Sequence, residues 1–298
     1  MLDTKENHLE GLLSLLELEH IETDLYRGQS QDLGYDRLFG GQVVAQALAA
    51  ASRTAAPDLT VHSMHAYFLL AGDASEPIVY QVERIRNGRS FATRLVKALQ
   101  KGRSIFCLSA SFHKREAGFE HATPMPRVPG PEDLETEIQM AARLLGKCPP
   151  TPLRGLVRPK PIEFRMVNPV DPICPVPQPP ERYLWFRAAG EMPQSPLTHQ
   201  LVLAYATDFY LVGTSLYPHG RTYWSPDMLV ASVDHTIWFH REARMDDWFL
   251  YAMESPNACA GRGLSMGRVY SRSGELVASV AQEGLLRQYH LTPDMLHP

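Results

Sequence analysis

The sequence offers little that would staple, anchor or strongly charge a protein. Its 298 residues include only four cysteines, Cys107, Cys148, Cys174 and Cys259, and no two of them form a C-x-x-C pair. That spacing argues against a zinc ribbon and against the disulfide framework on which small secreted domains depend, and it fits a reducing setting. No long hydrophobic run is present. The longest apolar stretch, VVAQALAAA from Val43, falls far short of the ~20 residues a helix needs to cross a bilayer, so no membrane insertion is expected. Basic residues are not in excess: 29 Lys and Arg stand against 33 Asp and Glu, for a net charge of −4. Neither nucleic acid nor an anionic membrane surface is therefore expected as a partner. The opening MLDTKENHLE lacks the cationic start and apolar core of a secretion signal, and the closing DMLHP is not a Ser-Lys-Leu peroxisomal address. A cytoplasmic location is the expectation.

What remains is an ordinary globular composition, 44% hydrophobic and 21% charged, long enough for one large domain or two modest ones sharing a core. Proline is spread unevenly. Of 24 prolines, 15 lie between Ala117 and Pro180, ending in PVDPICPVPQPP. Such density breaks long regular elements and predicts a connector over 117–180, apart from a short helix in PEDLETEIQMAARLLG. Residues 1–116 and 181–298 then form two units of similar size, the first preceded by an amphipathic helix over His8–Glu19.

The two units echo each other. In the first, DLYRGQS predicts a strand and FGGQVVAQALAAAS an Ala-rich helix opened by glycines. Four strands follow, VHSMHAYFL, IVYQVERIR, SFATRLVKAL and SIFCLSASF, with turns at Asn87-Gly88 and Lys101-Gly102. In the second, RYLWFRAAG is a strand, THQLVLAYATDF a helix, and VASVDHTIWFH, FLYAMESP, RGLSMGRVYS and LVASVAQEGLL are strands. Strand, helix and four strands, twice over, describe an α+β fold in which each long helix is wrapped by an antiparallel sheet.

Laying one unit on the other matches Gln42 with Gln200, Ala50 with Asp208, His62 with Ser232 and Ala110 with Gln282. The second copy thus carries Asp208, Ser232 and Gln282 where the first carries Ala50, His62 and Ala110. Core packing should treat both copies alike, so the asymmetry suggests one functional site left from a degenerate duplication. Each residue also has a plain alternative. Asp208 could cap a turn at its helix end, Ser232 could satisfy a neighbour, and Gln282 could be a structural amide in a strand that otherwise calls for apolar residues. A buried carboxylate can instead serve as a base, and an amide that both donates and accepts suits fixing a water or a carbonyl. Together the three could hold water against an ester-like carbonyl and support the oxyanion that forms.

The segments RGQSQDLG, FGGQVVAQAL, VHSMHAYFL, AGFEH, YATDF, PHG, VDHTIWFHR and QEGLLR, in this order, resemble the type II acyl-CoA thioesterases, a double-hotdog family of bacterial and peroxisomal enzymes. The resemblance spans nearly the whole chain. It implies two hotdog units in one polypeptide and hydrolysis of fatty acyl-CoA to free acid and CoA. It also implies a catalytic set of Asp, Ser or Thr, and Gln that activates water, carried here by Asp208, Ser232 and Gln282. Ser in place of Thr keeps the hydroxyl and loses the methyl that stiffens the rotamer. His62 matches a histidine of the family and is assigned an auxiliary, substrate-binding or structural role. No metal and no organic cofactor are expected. A homo-oligomer, dimer or tetramer, is, because hotdog sheets leave a flat edge and a helix-free face.

Several patterns are decoys. GLSMG at Gly263–Gly267 matches the nucleophile elbow G-x-S-x-G, but only His290 and His297 follow it, with no room for the later strands that chemistry needs. His62 with His65, and His235 with His240, have odd spacing on strands and point to opposite faces, which is poor for one metal. The glycines of FGGQ lack the spacing of a dinucleotide or phosphate loop, and serve a tight helix start or a close backbone approach. Two other function classes stay open at this point: a hotdog enoyl-CoA hydratase or dehydratase, for which His62 is the obvious base, and a non-catalytic acyl-CoA binding module. Release of the CoA thiol separates hydrolysis from both.

Overall fold

A computed structural model describes residues 8–33, 37–144, 158, 160–172 and 174–289; Cys148, His290 and His297 lie outside them. The chain folds around two helices enclosed by one sheet of 13 strands, every pairing of which is antiparallel. In chain order the first unit comprises α1 (His8–Leu16), β1 (Glu19–Glu22), β2 (Leu25–Gly28), α2 (Gly40–Ser52), β3 (Thr60–Phe68), β4 (Ile78–Asn87), β5 (Phe91–Gln100) and β6 (Arg103–His113). The proline-rich region contributes α3 (Glu137–Leu144) and β7 (Ile162–Met166). The second unit comprises β8 (Glu181–Ala188), α4 (Pro196–Thr207), a 3-10 segment Val212–His219, β9 (Met228–Ser232), β10 (Asp234–Phe239), β11 (Phe249–Cys259), β12 (Arg262–Ser271) and β13 (Leu276–Gln288).

The sheet runs β1-β2-β4-β5-β6-β3-β10-β13-β12-β11-β8-β7, with β9 attached to β13. Read outward from its centre, each half repeats the same sequence of strands, so β3 corresponds to β10, β6 to β13 and β5 to β12. The halves join where β3 pairs β10, with Ile237 opposite Met64. This is the double hotdog that the duplicated strand-helix pattern predicts.

Both central helices are buried nearly all round, which explains why α2 is built from alanine. Val44, Ala45, Ala47, Leu48, Ala50 and Ala51 are each fully buried, and small side chains let α2 lie against α4 inside the sheet. Hydrophobic packing on this scale, about 25 cal/mol per Å² of apolar surface removed from water, is the main source of stability. Among the described residues, no buried side-chain polar atom of the first unit lacks a hydrogen-bond partner. Gln46, fully buried in α2, donates to the carbonyls of Leu15 and Gln29 and accepts from the Tyr80 hydroxyl at 2.7 Å. No helix of the described residues is long and apolar enough to cross a membrane.

Candidate active site

The helix ends, a strand break and one core-facing strand position converge on a single point of the second unit. Asp208 caps the C-terminus of α4. Directly after it the chain turns through Tyr210, whose φ of +69° is an uncommon conformation for an aromatic residue, before entering the 3-10 segment. The opposite end of α2 meets it. The Gly41 N–H donates to the Asp208 carboxylate, and Gly40 lies so close that an added Cβ would stand 2.7 Å from Asp208 Oδ2. The glycines of FGGQ therefore make a close approach, as expected, and what they approach is the second unit's helix. The positive end of the α2 dipole also favours an anion at this position.

Ser232 is the last residue of β9. The strand is broken at Val233, whose N–H donates to Glu283 O and whose carbonyl accepts from Phe68 N. Asp234 Oδ1 then accepts from Glu283 N at 2.7 Å, and the chain resumes as β10. An irregularity of this kind re-aims the side chain beside it. Gln282 occupies a core-facing position of β13 between Val280 and Gly284 and is fully buried. Its Nε2 donates to Asp208 Oδ1 at 2.7 Å and to Ser232 Oγ at 3.1 Å. Asp208 and Ser232 each keep some accessible surface, so the amide is a sealed bridge behind two groups that can be reached.

Electrostatically, Asp208 is poised. Desolvation by the surrounding protein raises its pKa to about 6, against the opposing effect of the bonds from Gln282 and Gly41. The carboxylate is therefore ionised at neutral pH and within easy reach of protonation. Next to it, Thr207 Oγ1 lies 3.2 Å from Nε2 of the fully buried His235, whose burial holds its pKa down to about 3. A pocket opens beside the turn that follows Asp208, with Met140, Met166, Val170, Tyr210, Tyr217 and Trp224 in its walls. Tyr223 also lines it, and its phenol is pushed up first by burial and then by the charge on Asp208.

Asp208, Ser232 and Gln282 thus meet in one hydrogen-bonded group, while His62 stands apart from it. Its Nε2 bonds Ser111 Oγ at 2.8 Å, and its ring packs near Phe91 and His113 in the first unit. The expected match of His62 with Ser232 also changes. With Ala110 matched to Gln282, Phe112 corresponds to Gly284; Val61 pairs Phe112 and Ser232 pairs Gly284, so Val61 is the counterpart of Ser232. His62 falls in a bulge between Val61 and Ser63 and corresponds to Val233. The first copy of the site is apolar at both positions, which sharpens the asymmetry. His235, Thr207 and Ser265 surround the group; the sequence marks Ser265 and His235 only through motifs that fail, GLSMG and the His235–His240 pair, and nothing marks a single buried Thr in a helix. Ser265, the centre of GLSMG, lies in mid-strand on β12 with no helix following, so the segment is not a nucleophile elbow. Among the described residues no group of three or more His, Cys, Asp or Glu is placed to hold a metal ion.

A fused pair of hotdog units with one polar site defines a double-hotdog enzyme. Solved structures agree: a hot dog fold protein from Alicyclobacillus acidocaldarius superposes with a TM-score of 0.75 at 18% identity, covering 94% of this chain and 99% of that one. Sequence comparison goes further. Residues 177–285 match the acyl-CoA thioesterase family model, and residues 29–113 match that of the acyl-CoA thioesterase N-terminal domain. The chain is 43% identical over 279 residues to acyl-CoA thioesterase 2 of Haemophilus influenzae, covering 94% of this chain and 98% of that protein. It is 40% identical to human acyl-coenzyme A thioesterase 8 over 92% of this chain and 88% of that one. The structure of acyl-CoA thioesterase II TesB2 from Mycobacterium marinum superposes with a TM-score of 0.77 at 38% identity, covering 93% of this chain and 98% of that one. The chain belongs to the acyl-CoA thioesterase family.

Proposed function

We propose that this acyl-CoA thioester hydrolase works by direct attack of water held at Asp208, Ser232 and Gln282. The observation that carries the reading is the Gln282 amide spanning Asp208 Oδ1 and Ser232 Oγ at 2.7 and 3.1 Å. Both Nε2 hydrogens are committed, which leaves Asp208 with free lone pairs facing the accessible side and leaves Ser232 with its own hydrogen to give. In the reaction a water donates to the Asp208 carboxylate and its oxygen attacks the thioester carbonyl carbon. The proton passes to Asp208, and the Ser232 hydroxyl donates to the carbonyl oxygen as it becomes an oxyanion. Collapse breaks the C–S bond; the sulfur leaves as CoA and takes up the proton, and the acyl group departs as the carboxylic acid. No residue is acylated, and no metal or organic cofactor enters the step.

The mostly apolar pocket beside the turn that follows Asp208 supplies a place for the acyl chain. A helix-free outer face with Tyr67, Trp238 and Met266 exposed supports a homo-oligomer, dimer or tetramer, which light scattering at micromolar protein reads directly. The division into units over 1–116 and 181–298 around a connector, and a cytoplasmic location, belong to the same proposal. The deciding experiment is CoA thiol release from fatty acyl-CoA of graded length, combined with mass spectrometry of the intact protein during turnover. Thiol release without an acyl adduct on Ser232 or any cysteine is expected; an adduct that forms and decays at the turnover rate overturns direct attack.

A further inference from the structure

Behind the proposed site lies a second polar group that the mechanism does not use. Gln282 Oε1, Ser265 Oγ and His235 Nδ1 are all buried without a hydrogen-bond partner, and with Arg182 Nε they are the only such side-chain atoms among the described residues. All three residues are fully buried. They also form one row across the sheet. Ser265 sits directly opposite Gln282 in the β12–β13 ladder. On the other side of β13, Thr236 pairs Ala281, which sets His235 beside Gln282.

The hydrogens can be counted. Thr207 Oγ1 gives its hydrogen to Ala204 O at 3.1 Å, so at its 3.2 Å contact with His235 Nε2 it must accept. The imidazole is neutral, because burial holds it far from protonation. Its Nδ1 is then a bare acceptor. Gln282 has spent both amide hydrogens on Asp208 and Ser232, and its Oε1 is a second bare acceptor. Ser265 offers one hydrogen and its lone pairs. Two acceptors and one hydroxyl match what a single water supplies: two hydrogens to give and lone pairs to receive. Buried polar atoms in native proteins nearly always find such a partner, and interior water is its usual source. The contrast with Gln46 is direct, since there the Tyr80 hydroxyl already fills the amide oxygen.

We propose that one buried water joins Gln282 Oε1, Ser265 Oγ and His235 Nδ1, and that Ser265 is thereby a positioning residue that holds the Gln282 amide with its nitrogen toward Asp208 and Ser232. The inference rests on the reading of that site as the hydrolytic centre. A flipped amide would set its oxygen against the carboxylate, acceptor against acceptor, and Ser232 could keep its bond to the amide only by spending the hydrogen that the oxyanion needs. Filling Oε1 from behind fixes the working orientation.

Ser265→Val removes the hydroxyl and fills the space of the water, whereas Ser265→Ala leaves room for the water to stay. The valine variant is expected to lower kcat about 10-fold, a loss of the size that misplacing a positioned group produces, with KM for acyl-CoA within about twofold. Its acid limb of kcat/KM should move to higher pH, because the Gln282 bond that holds the Asp208 carboxyl down is loosened. The alanine variant should show a smaller change in the same direction. A crystal structure of the wild-type protein should show water density within hydrogen-bond distance of Gln282 Oε1 and Ser265 Oγ; a dry site overturns the proposal even if the valine variant fails to fold. A folded valine variant with wild-type kcat and pH profile, alongside an inactive Asp208→Asn, sinks this inference alone. Full activity of Asp208→Asn sinks the reading beneath it.

Discussion

Gln282 and Asp208 are 74 positions apart in sequence, yet Gln282 Nε2 donates to Asp208 Oδ1 at 2.7 Å. An ionised carboxylate only accepts, so the orientation of the amide follows from the charge beside it. Replacing Gln282 by Ala removes the bridge to Ser232 as well. The expected loss is roughly 10²–10³-fold in kcat, because Ser232, the donor to the oxyanion, loses the bond that aims it. Ser232→Ala should cost a comparable amount, because it deletes the hydroxyl that donates to the oxyanion. The double variant should be little worse than Gln282→Ala alone, since Gln282 acts through Ser232 and Asp208 as one unit. Steady-state thiol release checks each, and additive losses would separate the two residues functionally.

Asp208→Asn tests the base and the cost of burying it together. Activity should fall ~10²–10⁴-fold, as for loss of one positioned base. Stability should move the other way. The folded-state pKa of about 6 lies above the ordinary 3.8. Below the ordinary value both folded and unfolded chains hold the proton. Between the two values only the folded chain does, so the favourable contribution of this group is lost as pH rises through about 6. Above that, the ionised carboxylate is worth about 3 kcal/mol less to the fold than an ordinary one. Asparagine never ionises. The variant should therefore unfold at a higher temperature than the wild type at pH 8, less whatever the Gly41 N–H loses, and the gap should narrow as pH falls toward 4.

The pH profile follows from the same group. The Asp208 carboxyl is faced by the Gly41 N–H, the Gln282 amide, and the phenols of Tyr223 and Tyr251, both of which are raised by burial first and by its charge second. None of these titrates between pH 5 and 8. The rate constant kcat/KM should accordingly rise with pH along a single acid limb near pH 6 and then level. A profile flat from pH 5 to 8 would remove Asp208 from the role of base.

Much of this arrangement can be read from residue patterns, and the exceptions have physical causes. The strand-helix-four-strand repeat follows from apolar spacing, which burial imposes on every wrapped strand. β1, EHIE, escapes because all four residues are exposed at the sheet edge and no alternation marks them. β7, IEFRM, does alternate, but it sits among prolines that read as connector. Asp208, Ser232 and Gln282 stand out because their counterparts in the other copy are not polar in the same way. The His62 match failed by one residue because both copies carry an irregularity there, and an extra residue in a strand leaves no mark in composition. Ser265 and His235 stand out in sequence only as parts of motifs that fail; their place beside Gln282 is hidden because it lies in hydrogen-bond capacity left over after folding.

The glycines that open α2 should separate activity from stability. At Gly40 an added Cβ meets Asp208 Oδ2 at 2.7 Å and the Phe68 ring at 2.9 Å, both of them side chains that can give way. Gly40→Ala should fold and lose at least about 10-fold in kcat, because the carboxylate is displaced from the attacking water. At Gly41 the Cβ would meet the backbone oxygen of Tyr205 at 2.5 Å, which cannot move alone. Gly41→Ala should lower the melting temperature by several degrees, consistent with overpacking of about 1–3 kcal/mol. Equal effects of the two on stability, with kcat intact in Gly40→Ala, would contradict the geometry.

His62 decides which half of the molecule works. It lies on β3, bonded to Ser111 Oγ at 2.8 Å, with its pKa lowered by burial first and by His113 second. It makes no hydrogen bond to Asp208, Ser232 or Gln282. A hydratase would use a histidine as its acid or base, and His62 is the candidate that sequence offers for that role; its position in the apolar copy of the site speaks against it. His62→Ala should leave kcat within about threefold of the wild type and act on stability or on KM, because what it removes is a hydrogen bond and ring packing, of order 1 kcal/mol. If His62→Ala instead abolishes turnover in a folded protein while Asp208→Asn remains active, the chemistry belongs to the first unit, and the polar group of the second serves only to hold the two helices together.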